Sequence, residues 1–297
     1  MGLILIFVKK SILLKTNYLY FLLFFLSLIW GSSFILIKKS LLVFSDYEVA
    51  LLRMVIAWLI LIPFTLKKIF SFKKKIILPI LIVAFLGNAF PAFLFAKAQT
   101  QINSSTVGIL NALVPIFTIL IGYFFNNKTS TKQLFGVIIG FFGAVLLFMG
   151  DINLGLLNYY SLLIILASIF YAINLNTIKT FLKEISAVEI AGYAFFIIGP
   201  LATFLLFFSD FSYKMYYHSD ASEAFFYVFI LGAFGTSLAI IIFNYLIIKT
   251  SAIFTSSVTY LIPVIALIWG FVDGEIINSN HIFSLLIIII GVYLTNK

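Results

Sequence analysis

The chain has 297 residues, 63% of them hydrophobic and only 10% charged, with a mean hydropathy of +1.20. A soluble domain carries about 25% charged residues to cover its surface, so this composition excludes a water-soluble protein and puts the chain in a lipid bilayer. The net charge of +9 comes from lysines parcelled between apolar runs, which argues for a topology signal and against nucleic acid as a partner.

The opening stretch MGLILIFVKKSILLK has its lysines behind its apolar part and no small-residue cleavage site. Residues 1–17 therefore read as an interfacial lead-in and not as a cleaved signal. A spanning helix needs about 20 mostly apolar residues. Such runs lie near 18–37, 47–66, 76–96, 104–125 and 133–150, and again near 159–178, 187–208, 225–247, 251–272 and 280–295. The sequence thus predicts an all-α integral membrane protein of ten transmembrane helices. Ten spans put both ends on one side. A cytoplasmic N-terminus places fourteen of the eighteen lysines in inner segments and leaves only Lys38, Lys39, Lys97 and Lys214 outside. Both termini are expected in the cytoplasm of a cell membrane protein.

Sliding the chain on itself by 148 residues sets Gly87 on Gly235, Phe95 on Phe243, Pro115 on Pro263, Gly122 on Gly270 and Gly143 on Gly291. A shift of 141 sets Glu48, Val49 and Ala50 on Glu189, Ile190 and Ala191. The expected organisation is two five-helix repeats, 18–150 and 151–297. Because five is odd, the second must insert upside down, a device of carriers that open one central site to each side in turn.

Polar side chains at membrane depth need a reason. Arg53, the only arginine of the chain, lies inside the apolar run of the second span. It could snorkel outward towards Asp46 or face a central cavity, where its fork of donors suits a carboxylate or phosphate. The first span carries Trp30, Gly31 and Ser33, the third Gly87, Asn88 and Pro91, the fourth Asn111 before Pro115. The sixth offers Tyr171 and Asn174, the eighth Asn244, and the ninth Thr259 and Tyr260 before Pro263. Arg53, Trp30, Ser33, Asn88, Asn111, Tyr171, Asn174, Asn244, Thr259 and Tyr260 are the candidates for a substrate pathway. Gly31, Gly87, Pro91, Pro115, Pro263, Gly136 and Gly140 read as bends and packing positions. The run GVIIGFFG is first a packing face, with a homodimer contact as the sharper alternative.

With no cysteine, no paired histidines and no mid-span carboxylate, the sequence offers no metal site, no cofactor and no catalytic constellation. Without a titratable group on the path, facilitated diffusion or exchange is the simpler mechanism.

The sequence resembles the drug/metabolite transporter superfamily, and within it the EamA-type carriers. The resemblance rests on WGSSFILIKK (30–39) followed by ALLRMVIA (50–57), on NALVPIFTILIGYFF (111–125) with QLFGVIIGFFGAVLL (133–147), and on YLIPVIALIWGFVDGE (260–275) with IIIIGVYL (287–294). It implies a ten-helix carrier of small metabolites, and an arginine at the place of Arg53 is common in the family. Gly274-Glu275 keeps a Gly-Glu pair usual after the ninth helix, whereas Asn126-Asn127 replaces its first-half counterpart; Ser284 stands where a glycine is usual. The expected function is export or exchange of amino-acid-like, amine or drug-like solutes by alternating access. A membrane scaffold, or an intramembrane lipid-acting enzyme, is the alternative.

Overall fold

The computed structural model describes residues 2–69, 74–102, 104–147, 159–272 and 279–295. The repeat boundary at 150, Asp151, Asp273 and the Gly274-Glu275 pair lie outside the described residues.

Among the described residues every element is helical, as hydrocarbon demands of a chain that must pair its own backbone groups. The helices are α1 Gly2–Ser40, α2 Asp46–Ile69, α3 Lys74–Ala98, α4 Ser104–Asn111, α5 Val114–Phe124, α6 Thr131–Leu147 and α7 Tyr159–Phe181. There follow α8 Ala187–Phe207, a short α9 Phe211–Tyr217, α10 Ala221–Lys249, α11 Ala252–Ser256, α12 Val258–Val272 and α13 Ser279–Thr295. The lead-in and first predicted span form one continuous helix, α1.

Six of these runs, in α1, α2, α3, α7, α8 and α10, are long and apolar enough to cross a bilayer, and four shorter apolar helices accompany them. Two predicted spans, 104–125 and 251–272, are each built in two pieces. The first breaks between Asn111 and Val114, just ahead of Pro115, whose missing N–H cannot continue the ladder. The second breaks at Ser257, well ahead of Pro263, which lies inside α12. Gly108 of α4 packs on Pro263 of α12, 3.5 Å from where a Cβ would stand.

Helix starts follow local sequence. Ser45 accepts from the Glu48 amide at 3.2 Å while the Glu48 carboxylate accepts from the Ser45 amide at 2.8 Å. Ser186 and Glu189 make the same reciprocal pair at the start of α8. These two boxes are related by the same shift that aligns Glu48 with Glu189.

α2 packs along α8, where Gly192 admits Thr65 and Gly199 admits Trp58. The pairing runs in opposite senses, so the helices are antiparallel and the two capping boxes lie at opposite ends of the bundle. α6 packs antiparallel along α13 by the same logic. Gly136 meets Gly291 and Thr295, Gly140 meets Gly291, and Gly143 meets Ile288. The glycines of GVIIGFFG are therefore spent on a contact inside the chain. Beside them the Tyr260 ring lies over Gly140, and its hydroxyl donates to the Val137 carbonyl at 2.8 Å.

A Cβ on Gly140 would stand 2.6 Å from the Tyr260 ring. Gly140→Val is therefore expected to destabilise the fold by about 1–3 kcal/mol through overpacking, read as a lower melting temperature in detergent. Ile138→Leu, on an exposed side chain of the same helix, should leave the melt unchanged.

Candidate substrate cavity

Two helices widen to i→i+5 turns at matching places. In α3 the wide turn covers Phe85–Ala89, and in α10 it covers Leu231–Leu238. Such turns free a backbone carbonyl and often mark functional sites. In each, a side chain from within the turn takes up the slack. Asn88 Nδ2 donates to the Val83 carbonyl at 2.7 Å, and Thr236 Oγ1 donates to the Leu231 carbonyl at 3.0 Å. Under the 148-residue shift Asn88 falls on Thr236 and Val83 on Leu231, so both halves carry the same device. A second carbonyl of the α10 turn, that of Gly235, accepts from Trp30 Nε1 at 3.0 Å.

Arg53 is held by this arrangement. Its Nε donates to Thr236 Oγ1 at 3.1 Å, so Thr236 accepts from the guanidinium while donating to its own backbone. Asp46 does not reach Arg53: it pairs with Lys97 at 3.6 Å, and Glu48 pairs with Lys214 at 2.6 Å. Snorkelling towards Asp46 is thus replaced by a sideways bond to α10. Among the described residues Arg53 makes no ion pair, and it borders open space.

That space consists of two adjoining cavities. One of about 600 Å³ is lined by Ser33, Phe34, Phe95, Asn111, Thr259 and Ile262, among others. The other, of about 500 Å³, is lined by Gly87, Asn88, Asn174, Thr236 and Asn244, among others. Trp30, Arg53, Tyr171 and Phe243 line both. The Trp30 and Phe243 rings meet edge-on at 5.0 Å, and Phe95 lies 6.0 Å from Tyr171. Residues from both sequence repeats therefore surround one guanidinium.

Of the ten pathway candidates, nine line one cavity or both. Tyr260 lines neither and is fully buried against Gly140. Ser33 and Thr259 spend their hydroxyls on the Ile29 and Ser256 carbonyls at 2.8 and 2.9 Å. Asn244 donates to the Ala187 carbonyl at 3.4 Å. Gly31 and Gly87 permit close approach: a Cβ on Gly31 would run into Ile265, and one on Gly87 would stand 2.6 Å from the Asn174 amide. Pro91 stands one residue beyond Phe90, which directly follows the wide turn of α3. Thr236 and Phe243 are not among the ten pathway candidates, although the repeat sets them on Asn88 and Phe95.

The comparisons with known proteins bear on what such a cavity is for. The description "EamA-like transporter family" matches this chain twice, over residues 17–149 and 158–297. The chain belongs to the EamA-like transporter family. A protein of Escherichia coli strain K12 described as an uncharacterized inner membrane transporter, YedA, is 26% identical over 287 residues, covering 92% of this chain and 88% of the relative. Its counterpart in Escherichia coli O157:H7 matches to the same extent. A solved structure titled only as the crystal structure of a protein superposes with a TM-score of 0.68 over 92% of this chain and 94% of its own, at 14% identity, which speaks to the fold alone. This EamA-like chain is a multi-pass membrane transporter, and Asn126-Asn127, the departure from the family's Gly-Glu pair, has a structural use here. Asn127 Nδ2 donates to Asn176 Oδ1 at 2.9 Å and to Thr180 Oγ1 at 3.3 Å, and Asn176 Nδ2 donates to the Thr118 carbonyl at 3.0 Å.

Thr236→Val would leave both the Leu231 carbonyl and Arg53 Nε without their partner. Interhelical hydrogen bonds in membranes contribute about 0.6–2 kcal/mol. The expected outcome is a destabilisation near the top of that range in a detergent melt, with Thr236→Ser close to wild type.

Proposed function

We propose that this chain carries a small anionic solute across the inner membrane by alternating access, with the solute's acidic group held at Arg53. The observation that carries the reading is a guanidinium without a carboxylate partner among the described residues, lining cavities walled by both halves of the sequence. Burying an uncompensated charge is costly, and a bidentate carboxylate is the partner its planar fork fits. Of the amino-acid-like, amine and drug-like solutes the sequence admits, those with a carboxylate meet this charge favourably; a bare amine meets repulsion.

The rest of the reading is two inverted five-helix halves, both termini cytoplasmic, rocking about the cavity. It is supported by the antiparallel pairing of α2 with α8 and of α6 with α13, and by equivalent wide turns in α3 and α10. At one end Lys97 and Lys214 bind the start of α2. At the other, Lys179 Nζ donates to the Ile247, Ile248 and Thr250 carbonyls at the end of α10. Such ties can alternate as each end opens. With no titratable carboxylate among the described cavity residues, facilitated diffusion or exchange is the simpler mechanism.

The test compares untargeted metabolite profiles of cells lacking and overproducing the protein, inside and outside. An acidic solute should move with wild type. Arg53→Lys should cut the flux roughly ten- to a hundredfold, because hydrogen bonds to a charged group contribute about 1.5–3 kcal/mol. Full activity in Arg53→Lys would remove the bidentate reading. In proteoliposomes, the purified protein should equilibrate or exchange that solute, and an imposed pH gradient should not drive it uphill.

A further inference from the structure

An α-helix leaves the carbonyls of its last turn unpaired and its C-terminal end partially negative. At the end of α10 a single ammonium meets both needs. Lys179 of α7 donates to the Ile247 and Ile248 carbonyls at 3.2 and 3.4 Å, and to the Thr250 carbonyl as well. An ammonium has three N–H donors and no acceptor, so these three carbonyls use it fully. Ile178 of α7 and Leu246 and Ile247 of α10 are fully buried in one apolar cluster beside it. At this end of the bundle α7 is shut against α10.

The repeat carries the same parts at the other end. The 141-residue shift sets Trp30 on Tyr171 and Lys38 on Lys179, while the 148-residue shift sets Gln99, Thr100 and Ile102 on Ile247, Ile248 and Thr250. Lys38 stands seven residues ahead of Ser45, as Lys179 stands seven ahead of Ser186, and those two serines start helices at opposite ends of the bundle. Here, however, the first-half tie is not made. Lys38, in the last turn of α1, is exposed and makes no hydrogen bond or ion pair among the described residues. Its neighbour Lys39 lies instead over the Tyr227 ring of α10, 5.9 Å from the centroid. Gln99, which caps α3, has both amide atoms buried without a hydrogen-bond partner among the described residues. Phe34 and Ile37, just ahead of Lys38 on α1, line the larger cavity, which therefore extends towards this end. One tie is made and its counterpart is open.

We propose that Lys38 and Lys179 are alternating latches of the transport cycle. In this structure Lys179 closes one end on α10. When the halves exchange conformations, Lys179 lets go and Lys38 closes the other end on the Gln99, Thr100 and Ile102 carbonyls of α3. Three charge-assisted hydrogen bonds are given up and three of the same kind are made, which keeps the two states close in free energy and both populated. The proposal rests on the alternating-access part of the reading above and is independent of Arg53 and of the solute.

The test uses the full-length protein with Ser33→Cys as its single thiol, labelled by a membrane-impermeant reagent in whole cells and in inverted vesicles. The ratio of the two rates reports which end is open. Lys38→Met and Lys179→Met keep the length of the side chain and remove its donors. Losing a latch disfavours the state it closes, by about tenfold or more for hydrogen bonds to a charged group. Lys179→Met should therefore shift the ratio roughly tenfold towards labelling from the Lys179 end, and Lys38→Met by a similar factor towards the Lys38 end. The double variant should return to the parent ratio, because both states lose alike. Lys38→Met alters an exposed side chain, so it should melt as wild type, and it decides the case even where Lys179→Met fails to fold. An unchanged ratio in Lys38→Met, or a shift of the same sign in both single variants, would overturn the latches and leave alternating access standing. A thiol that labels from one side alone in the parent and in every variant would overturn alternating access with them.

Discussion

Inside hydrocarbon each backbone N–H and C=O must find its partner within the protein, and the architecture follows from that constraint. Long apolar stretches meet it with unbroken helices. Among the described residues the ladder is disturbed at the wide turns of α3 and α10, at the interruptions between α4 and α5 and between α11 and α12, and at the prolines inside α2, α8 and α12. Each wide turn is repaired by a side chain, Asn88 on Val83 and Thr236 on Leu231, with Trp30 taking the Gly235 carbonyl. The irregular backbone is what opens space in an otherwise close-packed bundle, and irregular backbone at membrane depth is tolerated where it lines a cavity.

Arg53 depends on that repair, because the acceptor of its Nε is the same hydroxyl that satisfies the α10 turn. One threonine thus couples helix geometry to the position of the only cationic fork in the chain. The stability cost of an unpaired charge at depth makes sense if a solute completes the site in each cycle. The halves are not identical at this place: Arg53 of α2 stands where the repeat sets Ala194 of α8. The ties at both ends of the bundle are ion pairs and lysine–carbonyl bonds, which exchange partners more readily than interlocked glycine contacts such as Gly140 on Gly291.

Much of this was legible in the sequence, for physical reasons that differ by feature. Apolar runs long enough to span announce helices, and Ser45 with Glu48 and Ser186 with Glu189 announce where two of them start. The register of Gly87 with Gly235 and of Phe95 with Phe243 pointed to equivalent positions around one cavity. The wide turns were not legible, because in a run apolar on every face an extra residue per turn leaves no mark on the pattern. Nor could the direction of Arg53 be read from α2 alone: its acceptor is on α10, far along the chain. Tyr260 misled for the same reason. It sits among serines and threonines in sequence, but its neighbour in space is Gly140, whose missing side chain makes room for the ring.

The central claim is that the space around Arg53 is the transport path, open to one side at a time and filled by the solute. The chain has no cysteine, so a single Ser33→Cys places one thiol on the cavity wall beside Arg53. Its reaction with a membrane-impermeant thiol reagent can be followed in whole cells and in inverted vesicles. Labelling from both sides, slowed in both by an acidic solute that the protein carries, is the predicted result. A thiol that reacts from neither side, or whose reaction such a solute leaves untouched, would contradict the account.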